Sequence, residues 1–169
     1  GLVLAVATAF LLEYLDDTVK TPEDVEKAMH LTTLAGISRI PDEKPDDRLI
    51  AVKHPKSPIS EAYRVLRTNL QFSSLDRPLQ TLVITSPNPT EGKSTTVANL
   101  GVVMAQAGKR VILVDSDLRR PTLHRIFGME NQAGLTEALL QPDLLVNGQL
   151  KETGVENLRL LNTGALPPN

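Results

Sequence analysis

The chain has 169 residues, 41% of them hydrophobic and 22% charged, a composition that suits about one globular domain with appended segments. A net charge of −2 without any basic run gives no reason to expect nucleic acid as a partner. The absence of cysteine excludes disulfide bonds, thiolate metal sites and cysteine nucleophiles.

The N-terminal run GLVLAVATAFLL carries no charge. It is shorter than the roughly 20 residues that a membrane-spanning helix needs. A helix buried inside a domain is one interpretation. We favour another, because the run is apolar on every side and lacks the single apolar stripe of a surface helix. Residues 1–14 are therefore expected to be the C-terminal part of a transmembrane helix.

Residues 15–56 are expected to form a juxtamembrane segment and a linker. Thr21, followed by a proline and two acids, is typical of a helix N-terminus, and this helix is expected to end near His30. A short strand is predicted around 34–40. The stretch 41–56 is polar and holds three prolines, which is typical of a linker.

From residue 57 onward, helical spacing of apolar residues alternates with short apolar runs. The predicted elements are a helix after Ser57, a strand at 80–85, a helix at 94–107, a strand at 110–114, a short helix at 134–140 and a strand at 158–161. Strands that alternate with helices imply a parallel sheet with right-handed crossovers. The predicted fold class is therefore α/β, with a parallel sheet flanked by helices.

A candidate phosphate-binding loop, SPNPTEGKST, lies between the first of these strands and the next helix, which makes the predicted fold one of the P-loop NTPase type. Backbone N–H groups at a helix N-terminus, together with the helix dipole, bind phosphate oxygens. Lys93 can reach the β- and γ-phosphates, and the Ser94 hydroxyl can ligate Mg²⁺. The predicted contacts with ATP are Thr90, Glu91, Gly92, Lys93, Ser94 and Thr95.

This loop departs from the usual G-x-x-x-x-G-K-[ST] pattern, because Pro87 stands in place of the first glycine. Pro87 and Pro89 have no N–H to donate, so this end of the loop contributes less to phosphate binding. Taken alone, the motif could also be a chance turn at the start of a helix.

Two carboxylates after the second predicted strand support a nucleotide site. In a parallel sheet, the carboxyl ends of neighbouring strands face one crevice, so Asp115 and Asp117 are expected beside the phosphate-binding loop. With Ser94 they are the predicted Mg²⁺ ligands. With Lys93 they are the predicted catalytic residues, and one aspartate could accept a proton from an attacking hydroxyl. The alternative is a solvated acidic turn that pairs with nearby arginines.

The stretches TSPNPTEGKSTTVANL and VILVDSDLRRPTLHRIFG resemble the bacterial tyrosine kinases of capsule and exopolysaccharide clusters. These kinases belong to a larger group of P-loop ATPases that includes the partitioning and septum-site ATPases. The resemblance implies that the first stretch is the Walker A motif and that VDSDLRRP is the second acidic motif. It implies phosphate and Mg²⁺ contacts for Lys93 and Ser94, and metal-linked or catalytic roles for Asp115 and Asp117. The role of Arg119 stays open.

Two further segments resemble the same family. In SPISEAYRVLRTNLQFSSLD, the residues Glu61, Arg64 and Arg67 match an E-x-x-R-x-x-R pattern that the resemblance links to ring-like self-association. The alternative for these residues is a local ion pair between Glu61 and Arg64 on a solvated helix face. The N-terminal part, up to the proline at position 41, is similar to the last transmembrane segment and linker of polysaccharide chain-length regulators.

The resemblance implies an ATP-dependent protein tyrosine autokinase that regulates capsular or exopolysaccharide polymerisation and export. It implies homo-oligomers formed through the kinase domain, and contact with the inner-membrane polysaccharide polymerisation and export machinery. It also implies a location at the cell membrane, with the P-loop domain in the cytoplasm.

Two alternatives remain. A partitioning-type P-loop ATPase would act as a nucleotide-driven assembly switch, but those proteins carry a second lysine early in the loop, where this chain has Asn88. A chain-length regulator with a vestigial P-loop domain is disfavoured by the intact Lys93 and its acidic partners.

In the family, a third acidic strand, the Walker B motif, follows the point at which this chain ends. Residues 57–169 are therefore expected to be the N-terminal portion of the kinase domain, with an incomplete sheet that has an unpaired edge. Alone, this portion is expected to fold poorly, to bind ATP weakly and to be inactive.

Overall fold

A computed structural model describes residues 1–15, 21–40, 45–74, 79–141 and 149–165 of the chain. The chain divides into two compact units, Gly1–Leu34 and Ala35–Asn169. The sequence-based predictions that fall at 16–20, 41–44 and 166–169 lie outside the described residues.

The N-terminal unit contains two helices. Helix α1 spans Leu2–Tyr14 and buries none of its side chains. Helix α2 spans Pro22–Met29, and its start is the predicted one: the Thr21 hydroxyl accepts a hydrogen bond from the Asp24 N–H at 3.3 Å, while the Asp24 carboxylate accepts one from the Thr21 N–H at 2.9 Å. Among the described residues, no helix has the length and apolar character needed to cross a membrane. The interpretation of residues 1–14 stays a prediction.

The C-terminal unit is an α/β domain, as predicted. After a 3₁₀ turn at Pro45–Arg48, its described helices are α3 (Ile50–Lys53), α4 (Pro58–Ser73), α5 (Lys93–Gln106), α6 (Leu123–Ile126) and α7 (Leu135–Leu140). Its described strands are β1 (Val111–Val114), β2 (Lys151–Glu152) and β3 (Leu158–Leu161), in the sheet order β1-β3-β2. β1 and β3 pair in parallel, with Val111 opposite Leu158, whereas β2 pairs with β3 antiparallel. The small sheet is therefore mixed, not wholly parallel as predicted.

Helix α5 lies at the centre of this domain. It packs against α3, α4 and β1, and its buried residues are Ala98, Asn99, Leu100, Gly101, Val102, Val103 and Ala105. The approach to the sheet is close, because a Cβ atom on Gly101 would lie 2.8 Å from a methyl carbon of Leu113. This packing positions the N-terminus of α5, which carries the phosphate-binding motif.

The predicted strand at 80–85 is wrong. Residues 79–86 belong to no strand in the described structure, and Val83 is 82% exposed. A run of β-branched residues becomes a strand only when its N–H and C=O groups find a neighbouring backbone. Among the described strands β1 pairs with β3 alone, and Ile112 and Val114 on one face of β1 stay exposed. The segment before the phosphate-binding motif therefore pairs with no described strand.

Two other predictions also need correction. The strand expected around 34–40 is absent, because those residues pair with no described strand. The linker expected at 41–56 is ordered in its described part, where Ile50 and Ala51 are buried against α5. The linker was predicted from its three prolines, although a short apolar run at 49–52 lies between them. That run forms one helical turn with two buried residues.

Candidate nucleotide-binding site

The phosphate loop, which we define as residues 86–92, ends at the N-terminus of α5. Gly92 is the N-cap residue and adopts a left-handed conformation with φ of 86°, which glycine reaches without strain. No side chain caps this helix end, so the first N–H groups of α5 keep their capacity to bind an external acceptor. Phosphate oxygens are suitable acceptors at such a position.

The phosphate loop is held by contacts among its own exposed residues. The carboxylate of Glu91 accepts hydrogen bonds from the Asn88 N–H at 3.1 Å and from the Asn88 side-chain amide at 3.0 Å. The Ser86 hydroxyl donates to the Asn88 carbonyl at 2.9 Å. The Asn88 side chain is the main cause that lowers the pKa of Glu91. Asn88 carries the one N–H group between Pro87 and Pro89, and this group already donates to Glu91.

The acidic loop, which we define as residues 115–122, folds around the carboxylate of Asp115. Asp115 is only 4% exposed. Its Oδ1 accepts from the Asp117 N–H at 3.2 Å, and its Oδ2 accepts from the N–H groups of Thr122 and Leu123 at 3.1 and 3.0 Å. The acidic loop is therefore built on three backbone donors that converge on one buried carboxylate.

Asp117 joins the acidic loop to the phosphate loop. Its Oδ1 accepts from the N–H groups of Arg119 and Arg120 at 3.2 and 2.9 Å, and its Oδ2 lies 3.3 Å from Lys93 Nζ. The Arg120 N–H is the largest cause that lowers the pKa of Asp117, and Lys93 acts in the same direction. Asp117 therefore carries a negative charge at neutral pH and is directed towards the start of α5.

The structure thus brings together some of the predicted site residues and not others. Lys93 and Asp117 are in contact, and Ser94 and Thr95 line the same cleft. Asp115 is occupied by its own loop. Among the described residues, no group of three or more His, Cys, Asp or Glu side chains could hold a metal ion. One carboxylate and one hydroxyl still fit Mg²⁺, because this ion takes few protein ligands and keeps several waters.

The cleft around these residues has a volume of about 1130 Å³, enough for a ligand of nucleotide size. Besides the predicted contacts, its walls include four groups that sequence reasoning missed or left open: residues 37–40, Arg48, Tyr63, and the pair Arg119 and Arg120. The first two lie in the stretch interpreted as a strand and a linker, so no motif pointed to them. Arg120 could have been suspected from its place directly after Arg119.

The three residues of the E-x-x-R-x-x-R pattern separate into two environments. Glu61 and Arg64 form the expected local ion pair at 2.9 Å, and Arg64 also donates to the Pro55 carbonyl at 2.7 Å. Arg67 does not lie on a solvated face: its Nη1 donates to the carbonyl of Val103 in α5 at 3.1 Å. A role of all three residues in self-association stays a prediction.

Comparisons of sequence relate this chain to known proteins. Residues 82–157 match the family described as the CobQ/CobB/MinD/ParA nucleotide binding domain. The chain is 48% identical over 121 residues to the tyrosine-protein kinase YwqD of Bacillus subtilis (strain 168), a match that covers 72% of this chain and 51% of that protein. It is 35% identical to the putative tyrosine-protein kinase EpsB of Ralstonia nicotianae, over 100% of this chain and 24% of that protein. The chain thus spans about half of the first relative and a quarter of the second.

Solved structures that resemble this chain include a kinase domain as well. The chimerical protein CapA2B2 superposes with a TM-score of 0.78 at 42% identity, over 88% of this chain and 62% of that one. The kinase domain of the Escherichia coli tyrosine kinase ETK superposes with a TM-score of 0.79 at 30% identity, over 90% of this chain and 63% of that one.

Proposed function

This chain is a homologue of the bacterial tyrosine-protein kinases, and from that premise we propose that its cleft binds Mg²⁺-ATP for phosphoryl transfer to tyrosine hydroxyl groups. The activity would be that of a protein tyrosine autokinase that regulates capsular or exopolysaccharide polymerisation and export. One observation carries the proposal: Lys93 at the start of α5 and Asp117 of the acidic loop meet at 3.3 Å inside the cleft.

Two positive features of α5 would hold the phosphates of ATP. The free N–H groups at its N-terminus and the ammonium of Lys93 both favour bound anions. Lys93 is 32% exposed and bonds to Asp117 through a single contact, so it can exchange this carboxylate for a phosphate oxygen. Nucleotide binding would then release Asp117 Oδ2.

Asp117 and the hydroxyl of Ser94 are the residues that would hold Mg²⁺. When bound, this ion neutralises charge on the β- and γ-phosphates. The lowered pKa of Asp117 suits a group that stays ionised beside a cation better than one that accepts a proton at neutral pH. Asp115 would act differently, by ordering the acidic loop through its three N–H partners.

The wider setting of this activity is part of the same proposal. In the ion pair of Glu61 and Arg64 on α4, the Glu61 side chain is 65% exposed, and the pair offers charged groups for contact between copies of the kinase domain. We place the protein at the cell membrane, with the P-loop domain in the cytoplasm, where ATP is available. There it would act on the inner-membrane polysaccharide polymerisation and export machinery.

A comparison of two lysine variants tests the kinase activity. The full-length protein is incubated with labelled ATP and magnesium, and phosphotyrosine is measured for wild type, Lys93→Met and Lys109→Met. Lys109 is an exposed lysine beyond the other end of α5, so its variant is the matched control. We expect phosphotyrosine in wild type and Lys109→Met and none in Lys93→Met. Equal labelling in all three, or none in wild type, would contradict the proposal.

The nucleotide-binding family matched at 82–157 favours a second candidate, a partitioning-type ATPase that works as an assembly switch. Such a protein would hydrolyse ATP to phosphate and leave its own tyrosines unmodified. Measurement of released phosphate in the same incubations separates the two functions.

A further inference from the structure

Arg67 is half-buried on α4, on the side from which it reaches helix α5. Its Nη1 donates to the carbonyl oxygen of Val103 at 3.1 Å, and its Nε is buried without a hydrogen-bond partner. A solvated arginine would keep all of its N–H groups in water. The guanidinium of Arg67 instead contacts the backbone of α5, although its single Nε–H has no acceptor.

The acceptor of this bond is one that α5 leaves unpaired. Val103 carries one of the last four carbonyl groups of the helix, which have no regular partner within it. The N–H of Ala107, which would normally bond to Val103, bonds to the carbonyl of Met104 at 3.2 Å instead. Arg67 supplies the missing donor and adds a positive charge at the negative end of the helix dipole.

A second contact from α4 holds the first half of α5. Tyr63, one helical turn before Arg67, is buried against α5, and its hydroxyl lies beside the side chains of Thr96 and Asn99. Burial raises the pKa of Tyr63, and these two neighbours oppose the rise. Tyr63 and Arg67 of α4 therefore contact α5 at two points along the length of α5.

These contacts matter for the phosphate site because the first turn of α5 is less fixed than the rest of the helix. The N-terminus of the helix has no side-chain cap, and the phosphate loop before it is held by exposed contacts. Val103 lies ten residues after Lys93, about 15 Å along the helix axis. A rigid helix transmits a tilt or slide at Val103 to the N–H groups that would face the phosphates.

We propose that Arg67 is a positioning residue for the nucleotide site, and that it acts through the C-terminal end of α5. Its guanidinium contacts the backbone of α5, whereas Glu61 and Arg64 pair with each other. The E-x-x-R-x-x-R pattern then combines two roles: Glu61 and Arg64 are available to another copy of the chain, whereas Arg67 sets the position of α5. The expected effect on the affinity for Mg²⁺-ATP rests on the proposed function.

The test compares substitutions at both ends of the pattern in the full-length protein. Arg67→Met removes the bond to Val103, and Arg67→Lys keeps the charge and one possible donor. Gln106→Ala is the matched control, because it removes a different hydrogen bond from the same end of α5, the one to the Ala51 carbonyl at 3.4 Å. The double variant Glu61→Gln/Arg64→Gln is the control for self-association. Mg²⁺-ATP affinity is measured by calorimetry, molecular mass by light scattering, and the order of α5 by hydrogen exchange.

We expect Arg67→Met to weaken Mg²⁺-ATP binding by about fivefold to tenfold, a loss within the range for a charged hydrogen bond that acts indirectly. The molecular mass of Arg67→Met in solution should equal that of wild type, which would show unchanged self-association. Arg67→Lys should recover part of the affinity. Gln106→Ala should bind as wild type does, even if its melting temperature falls equally. This difference separates positioning from a general loss of stability.

Two results would overturn the inference. One is wild-type affinity in Arg67→Met. The other is a fall in the molecular mass of the Arg67→Met assembly as large as that of the double variant. Dissociation of the copies would then explain the lower affinity. If wild type itself fails to bind Mg²⁺-ATP, the proposed function fails separately. Arg67 is then judged by hydrogen exchange at 94–98, which should be faster in both Arg67 variants than in Gln106→Ala; equal rates would reject the positioning role.

Discussion

The two loops that meet in the cleft are organised differently. The acidic loop follows a paired strand and closes around the buried carboxylate of Asp115, with three backbone donors at 3.0 to 3.2 Å. The phosphate loop follows an unpaired segment, and the carboxylate that holds it, that of Glu91, is exposed. Exposed hydrogen bonds compete with water and contribute little to stability. The acidic side of the cleft is thus formed in advance, whereas the phosphate side is expected to tighten around its ligand.

The largest effect is expected from Asp115→Asn. The NH₂ group that replaces one carboxylate oxygen cannot accept a hydrogen bond, so at least one of the three N–H groups around this buried side chain loses its acceptor. We expect local stability to fall by about 2–3 kcal/mol. Hydrogen exchange of the β3 amides in the full-length protein measures this opening free energy.

An acid-to-amide change at an exposed position is the control for Asp115→Asn. Glu156→Gln is suitable, because Glu156 is exposed. It should leave exchange in β3 unchanged. If Asp115→Asn also left it unchanged, the acidic loop would not be more ordered than the phosphate loop.

A smaller effect on stability is expected from Asp117→Asn. The side chain is 26% exposed, and the amide keeps one oxygen for the N–H groups of Arg119 and Arg120, so the loss should be about 1 kcal/mol. Magnesium-dependent ATP affinity should fall by about tenfold, because the charge that faces Lys93 and the metal is removed. Calorimetry with and without magnesium measures this loss. Equal weakening in both conditions would argue against a metal contact of Asp117.

The smallest effect is expected from the titration of Glu91. Its folded pKa lies below the ordinary 4.5, so the contact with Asn88 is complete above pH 4.5 and is lost as the pH falls through the lowered value. The NMR shift of the Asn88 N–H should report this transition, and Glu91→Gln should abolish it. The melting temperature should not change measurably. A midpoint at or above 4.5 would contradict the contact.

The same contrast explains how far the sequence predicts the fold. The segments at 80–85 and 110–114 are both short, apolar and rich in β-branched residues, and both were predicted as strands. Only the second has a neighbour among the described strands, namely β3. Local composition indicates an extended backbone, but pairing depends on residues distant in the chain. Helices α4 and α5 were predictable because the spacing of their apolar residues, and the Ser57 cap of α4, are local features.

For the site, the motif residues were predictable and their individual roles were not. The pattern places Lys93 and the two aspartates near one another, but nothing in DSD distinguishes an aspartate that faces its own loop from one that faces Lys93. The contact of Arg67 with α5 could not be predicted either. Its position on the helix suggested the solvated side, and the long side chain instead reaches a backbone carbonyl of another helix, which no sequence pattern reports.

The side chain of Asn99 has a practical consequence for truncation. It is fully buried, accepts a hydrogen bond from the Ala51 N–H at 2.9 Å, and donates to the carbonyls of Arg48 and Thr95 at 2.7 and 2.9 Å. A shortened protein that begins at Ser57 would retain both long helices yet leave this amide facing a cavity. Any trimmed version intended for crystallisation should therefore start upstream of Arg48.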